Sequence, residues 1–138
     1  MTLQPVAAAP VDADLWWIVY LRGALVGRVE SYASNVYFDR RVPTTRRDRM
    51  VIVRRDGGSS DELFDRPRIA LDVWAKTEQD ATNLSNLIIA LAKVAPLEGA
   101  GVVNVVHEAG PNPVEDPSGQ PRRLSLIEAT HRATIVTT

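Results

Sequence analysis

The strongest constraint on the fold is the run from Thr77 to Pro96. The Thr77 hydroxyl can accept from the free N–H groups of a first helical turn, and Asp80, three residues on, can reach back as in a capping box. Ala81, Leu84, Leu87, Ile88, Leu91 and Ala95 then recur at helical spacing until Pro96 stops the run. A helix with one such apolar face must lay it on another surface, so the rest of the chain has to supply a sheet or a second helix.

Both are expected. Asp12 is a candidate N-cap for a helix over about Asp14 to Leu25, ending before Gly27. At 100° per residue, Ile18, Leu21 and Leu25 share one side of it, while Trp16 and Tyr20 project from nearly the opposite side. Alternation in Asn35 to Val42 and in Arg49 to Arg55 predicts two strands, joined as a hairpin through Pro43 to Asp48. Asp56-Gly57-Gly58-Ser59-Ser60-Asp61 reads as a loop. Pro67 fits only an edge or a strand's first residue, before Ile69, Leu71 and Val73 alternate inward. Val102 to Glu108 and Arg122 to Val136 are the last two strands, separated by a Gly110 to Pro121 loop. Pairing Ala109 with Arg122 sets Leu124 opposite His107. On the last strand Ile127, Ala129, Ala133 and Ile135 share the core side, and Glu128, Thr130, Arg132 and Thr134 a wet or interfacial side. The order α-β-β-β-α-β-β gives an α+β domain: a mainly antiparallel or mixed sheet of about five strands with two α-helices packed on one face. Residues 1–11 read as an N-terminal arm, and residues 12–138 as a single domain, a size that buries roughly two-thirds of the unfolded surface.

Functional classes narrow from there. No apolar run approaches the roughly 18 to 20 residues that span a bilayer, so no membrane role is expected, and Met1 to Pro10 lacks the pattern of an export signal. Without cysteine there is no thiolate metal site. Gly99-Ala100-Gly101 lacks the third glycine and the following helix that a dinucleotide loop needs. His107 and His131 read as ordinary strand histidines. Ser59 and Ser60 have no nucleophile-elbow context, and Asp65, Asp72 and Glu108 have no spacing that predicts a carboxylate dyad. No catalytic, cofactor or metal residues are therefore expected.

The net charge of −1 hides a local cluster. Nine arginines fall in one stretch: Arg40, Arg41, Arg46, Arg47, Arg49, Arg54, Arg55, Arg66 and Arg68. Asp48, Asp56, Asp61, Glu62 and Asp65 offset five of them, leaving an excess of four. Such a cluster is a solvated face, a set of intersubunit ion pairs, or a phosphate-facing patch, although no aromatic residues interleave it as stacking platforms for nucleic acid. Helix 14–25, apolar on two sides, has more surface to cover than a domain this small readily supplies; a neighbouring subunit is one cover for Trp16 and Tyr20, and the N-terminal arm or a loop is the other.

Several segments together resemble a known family: Asp14 to Leu25 with Tyr20-Leu21-Arg22; Val42-Pro43; Val51-Ile52-Val53-Arg54-Arg55-Asp56-Gly57-Gly58; Asp65-Arg66-Pro67-Arg68; and Asp72-Val73-Trp74-Ala75 leading into the capped helix. In this order and spacing they resemble the tail terminator proteins of long, non-contractile-tailed bacteriophages, especially those infecting actinobacteria. The resemblance implies a structural virion protein, assembled in the host cytoplasm and forming a homo-oligomeric, hexameric ring on the head-proximal end of the tail. Its partners would be the major tail tube protein and a head-completion or stopper protein, with genomic DNA passing through the lumen without sequence-specific binding. A ring needs one patch to meet a different patch on the neighbour. The implied interface residues are Trp16, Tyr20, the hairpin arginines, Gly57, Gly58, Asp65, Arg66 and Arg68, with the loops around Gly57 to Glu62 and Gly110 to Pro121 as axial contacts. The alternatives are another neck protein, a stopper or adaptor, or a nucleic-acid-binding module that uses the Arg40 to Arg68 cluster.

Overall fold

The structure, a computed structural model, describes residues 7–98 and 101–136. Its elements run β1 (Ala7–Ala9), α1 (Ala13–Leu25), β2 (Tyr37–Asp39), β3 (Met50–Ser60), β4 (Phe64–Trp74), α2 (Glu78–Val94), β5 (Val102–Pro113), β6 (Arg122–Arg132) and β7 (Thr134–Val136). Seven strands form two sheets, a five-stranded one in the order β2-β3-β4-β6-β5 and a two-stranded ribbon of β1 with β7. The fold is α+β, and the main sheet is mixed because β2 runs parallel to β3 while every other neighbour is antiparallel.

Both helices are specified locally. The Asp12 carboxylate caps α1 by accepting from Leu15 N–H. The Thr77 hydroxyl accepts from Asp80 N–H at 3.0 Å to cap α2, while Asp80 makes no reciprocal side-chain bond; its carboxylate is one carbon shorter than the Glu of a full capping box. Pro96 falls in the 3-10 turn Ala95–Glu98 that ends α2. The two helices lie on one sheet face, where Trp17, Leu21, Leu84 and Ile88 close against Val51, Val53, Ile69, Leu71, Val73 and Ile127, each 0 or 1% exposed. Burying such side chains contributes about 1.5–3 kcal/mol apiece.

Several expectations are corrected. The segments 35–42 and 49–55 form no hairpin: Tyr37 faces Met50 and Asp39 faces Ile52 in parallel register, so residues 40–49 cross back over the sheet rather than turning tightly. Asp56 to Ser60 is not a loop but the continuation of β3, and the turn to β4 shrinks to Asp61–Leu63. Two glycines survive inside a strand because this stretch is a β-bulge. The β3–β4 register shifts between Arg55 and Gly58, and both glycines take positive φ, 88° and 99°. A Cβ at Gly58 would strike the carbonyl oxygen of Arg66 and the Cα of Pro67. The same bulge explains Pro67, which sits in a central strand instead of at an edge or a start: it faces Gly58, and no β6 residue pairs with it between His131 and Glu128.

On the other side of the sheet, β5 extends through Gly110 to Pro113, so the irregular connection shortens to residues 114–121. Ala109 faces Leu126 rather than Arg122, because the β5–β6 ladder shifts register three times, and His107 faces Ile127. The last strand is two strands. Beyond Arg132 the chain leaves the main sheet, and β7 pairs with β1, Ala7 opposite Val136. Ile135, placed on the core side by strict alternation, is consequently 66% exposed. Part of the expected arm is thus ordered sheet; residues 1–6, and Gly99 and Ala100 of the glycine-containing segment, lie outside the described residues.

Candidate functional site

Two regions gather the chemistry, one at the N-terminal half of α1 and one on the sheet face away from the helices. At α1, the chain places Trp17, between the exposed Leu15 and Val19, fully inside the core. Its indole N–H donates to His131 Nε2 at 3.0 Å, so the neutral ring carries its proton on Nδ1. His131 is 2% exposed, and burial pushes it down to about 4, against a raising effect from the Asp65 carboxylate and a lowering one from Arg55. Asp65, also fully buried, is clamped by Arg55 through two bonds of 2.8 Å and accepts from Val11 N–H. Burial alone would raise that carboxyl; these partners hold it below its ordinary value. Arg55 is positioned in turn by Asp14, which accepts from its backbone N–H at 2.6 Å. One network therefore ties α1, the bulged β3–β4 hairpin and β6 together.

Trp16 and Tyr20 do not project opposite the core. They stack on one flank of α1 with centroids 5.3 Å apart, Trp16 edge-on to His131, and the Tyr20 hydroxyl donates to the Leu91 carbonyl of α2 at 2.8 Å. Both are half-buried within the subunit; their neighbour Trp17, at i+4 spacing from Leu21, occupies the core-facing position. The strip left outermost is Leu15, 49% exposed, and Val19, 58% exposed, bordering a shallow apolar hollow with Trp16 and Tyr20.

The outer sheet face is not bare. Strand alternation brings Met50, Ile52 and Trp74 together there in a second small core flanked by Tyr37. Asp72, wholly buried, accepts two bonds from Arg122 at 2.8 and 2.7 Å and a longer one of 3.3 Å from Arg54. Arg122 lies over the Trp74 ring at 4.7 Å, and the Trp74 indole N–H donates to Asp116 in the 114–121 connection. Burial would raise the Asp116 carboxyl, but Ser118, the Trp74 indole and Arg46 hold it below its ordinary value. Arg46 pairs with Asp116 at 3.0 Å, and Gln120 donates to the carbonyls of Arg47 and Asp48, so segments 40–49 and 114–121 close over the edge of this face. Between them opens a hollow of about 430 Å³ bordered by Arg40, Arg41, Val42, Ile52, Arg54, Asp72, Trp74, Asp116 and Arg122.

The arginine cluster is thereby divided. Six of the nine pair with carboxylates of their own subunit: Arg40 with Asp12, Arg46 with Asp116, Arg54 with Asp72, Arg55 with Asp65, Arg66 with Asp61 and Arg68 with Asp56. Arg49 donates to the Ser34 carbonyl, and Arg47 lies over the Tyr37 ring at 5.1 Å. Arg41 makes no ion pair among the described residues. Gly57 and Gly58 act through the bulge that aims Arg55 at Asp65.

The sequence alone did not single out Trp17, Asp116 or Arg122, and it assigned Asp72 no partner. Asp72 carried a signal, being a carboxylate flanked by the inward residues Leu71 and Val73 on a strand whose other face is also covered. The Trp17–His131 bond joins residues 114 apart and had none. Among the described residues no group of His, Cys, Asp or Glu is arranged to hold a metal ion. Compared with known proteins, the chain matches no protein family and no curated protein sequence.

Proposed function

We propose that this chain is a structural subunit of a bacteriophage tail, a terminator that caps the head-proximal end of the tail tube as a ring of identical copies. The observation that carries the reading is that the segments resembling tail terminators meet as one physical unit. Arg55 and Asp65, from two of those segments, clamp each other; Gly58 and Pro67 face each other across the bulge; and Asp14 of the helical segment fixes the Arg55 backbone. The segments that carry the resemblance are thus one interlocked hairpin and helix rather than scattered positions, and this supports the reading.

Self-association is supported by the Leu15–Val19 strip, apolar surface that α1 leaves uncovered by its own sheet. The pairing of six clustered arginines with carboxylates of their own subunit lowers the net charge of the cluster and favours a scaffold over a nucleic-acid-gripping patch. The ring reading is tested by co-assembly: the purified chain is mixed with tail tubes and with head-completion proteins, and the complexes are imaged by electron microscopy. Caps confined to one end of the tubes are expected. Binding to portal-side proteins with no capping would instead make the chain another component of the neck.

A further inference from the structure

The short turn between β3 and β4 is built to present two side chains outward. Asp61 Oδ1 accepts from Leu63 N–H and Phe64 N–H, each at 2.8 Å, while its other oxygen pairs with Arg66 at 3.0 Å. The Leu63 carbonyl accepts from Ala133 N–H, which ties the turn to the end of β6. With that backbone fixed, Leu63 stands 70% exposed at the apex beside an exposed Glu62 that pairs with no cation among the described residues. An apolar group next to an unpaired carboxylate is thus held out at one end of the hairpin.

The opposite end of the same two strands carries the complementary surface. The hollow on the outer sheet face has five guanidinium groups, of Arg40, Arg41, Arg46, Arg54 and Arg122, at or beside it, against the two carboxylates of Asp72 and Asp116. Arg122 already occupies both Asp72 oxygens, so Arg54, 52% exposed and 3.3 Å from one of them, keeps donors to spare; Arg41 is unpaired among the described residues. Between these arginines the apolar surface is that of Val42, 36% exposed, above Ile52 and Trp74, which are buried beneath it. About eight residues of extended strand, at roughly 3.3 Å each, separate tip from hollow, so a tip cannot reach the hollow of its own subunit.

We propose that the Glu62–Leu63 tip of one subunit docks into the arginine-lined hollow of a second copy of the chain, Glu62 meeting Arg41 and Arg54 and Leu63 resting on Val42. The contact joins two different patches, so it propagates head to tail and closes or extends according to the rotation between copies. It deepens the ring reading and rests on it for its biological setting; the contact itself rests on charge and shape. Arg41 and Glu62 then act as partners although each lies idle within its own subunit.

The chain has no cysteine, so single cysteines report on this contact without background. Leu63→Cys and Val42→Cys, which leave Glu62, Arg41 and Arg54 in place, are prepared separately, both at exposed positions, and thermal melting confirms that each folds. They are then oxidised alone and mixed at the highest soluble concentration, with and without tail tubes. A disulfide-linked dimer in the mixture, absent from either variant alone and diminished in 1 M salt, is the expected result. No dimer in the mixture under either condition, or equal dimer in the single variants, overturns the contact. Capped tubes without the cross-link would remove the contact and leave the ring reading standing, whereas a cross-link without capping would keep the contact and remove the tail assignment.

Discussion

Acidification should loosen this fold through one residue, and the size of the effect follows from the geometry around His131. In the folded chain the ring is 2% exposed, receives the Trp17 indole N–H on Nε2, and holds a pKa of about 4; unfolded, it returns to about 6.5. A base whose folded pKa is depressed is less protonated in the native state than in the unfolded one. Between pH 6.5 and 4 the unfolded chain therefore binds the extra proton, and stability falls as pH falls through that window. The full gap of about 2.5 pH units at about 1.36 kcal/mol each is on the order of 3 kcal/mol, most of which is lost by pH 4.5 and almost none of it at pH 7.5. With a urea dependence of about 2 kcal/mol per molar, the midpoint should drop by about 1 M over that interval. The control is His131→Gln, whose amide oxygen can accept from Trp17 but does not titrate. Urea unfolding of both proteins from pH 7.5 to 4.5, followed by fluorescence, should show the wild type losing ground relative to the variant, and the His131 ring resonances should titrate near pH 4. Profiles that run parallel across the whole range would refute the reasoning.

Four further outcomes follow from the packing. Gly58→Ala should unfold the hairpin's bulge, because its Cβ meets backbone atoms of Arg66 and Pro67, whereas Gly57→Ala meets nothing within 4 Å and suffers only the strain of its positive φ; calorimetric melting should show the larger loss at Gly58. Asp72→Ala leaves Arg122 with only the longer Asp116 contact of 3.6 Å in place of two short charged bonds and should cost about 2 kcal/mol, with Asp72→Ala/Arg122→Met recovering part of it in a double-mutant cycle by urea unfolding. Thr77→Ala removes the α2 cap and should cost about 1 kcal/mol by the same measurement. Val19→Asp, on the outer strip of α1, should leave the melting temperature nearly unchanged while lowering the fraction of assembled chain in sedimentation velocity.

The parts of this fold that could be read along the chain are those governed by neighbouring residues. The cap at Thr77, the inward set Ile69, Leu71 and Val73 and most of the stripe from Ala81 to Ala95 are written in local spacing; Leu87 and Leu91 fall on its half-buried flank, while Ser85, Ile89 and Ala92 complete the buried face. What escaped depends on partners far away in sequence. The parallel pairing of Tyr37 with Met50 is decided by how residues 40–49 bind Asp116 and Gln120, seventy residues on, and not by any turn signal of their own. Gly57-Gly58 looks like a loop until Pro67 is placed opposite, where the same residues make a bulge. The arginine cluster is legible as charge, but its pairing with Asp12, Asp65, Asp72 and Asp116 needs three-dimensional neighbours; Trp17 bonds to His131, 114 residues away, so nothing in its own neighbourhood marks its role.

The β1–β7 ribbon sets Ala7 directly across from Val136, which brings the two ends of the described chain to one spot. The covalent path is consequently almost a closed circle. A short linker joining Val136 to Ala7, with a new opening cut elsewhere, gives a permuted chain whose connectivity differs while its contacts do not. Labels attached at Ala7 and at Val136 would therefore report on one and the same side of any assembly the chain builds.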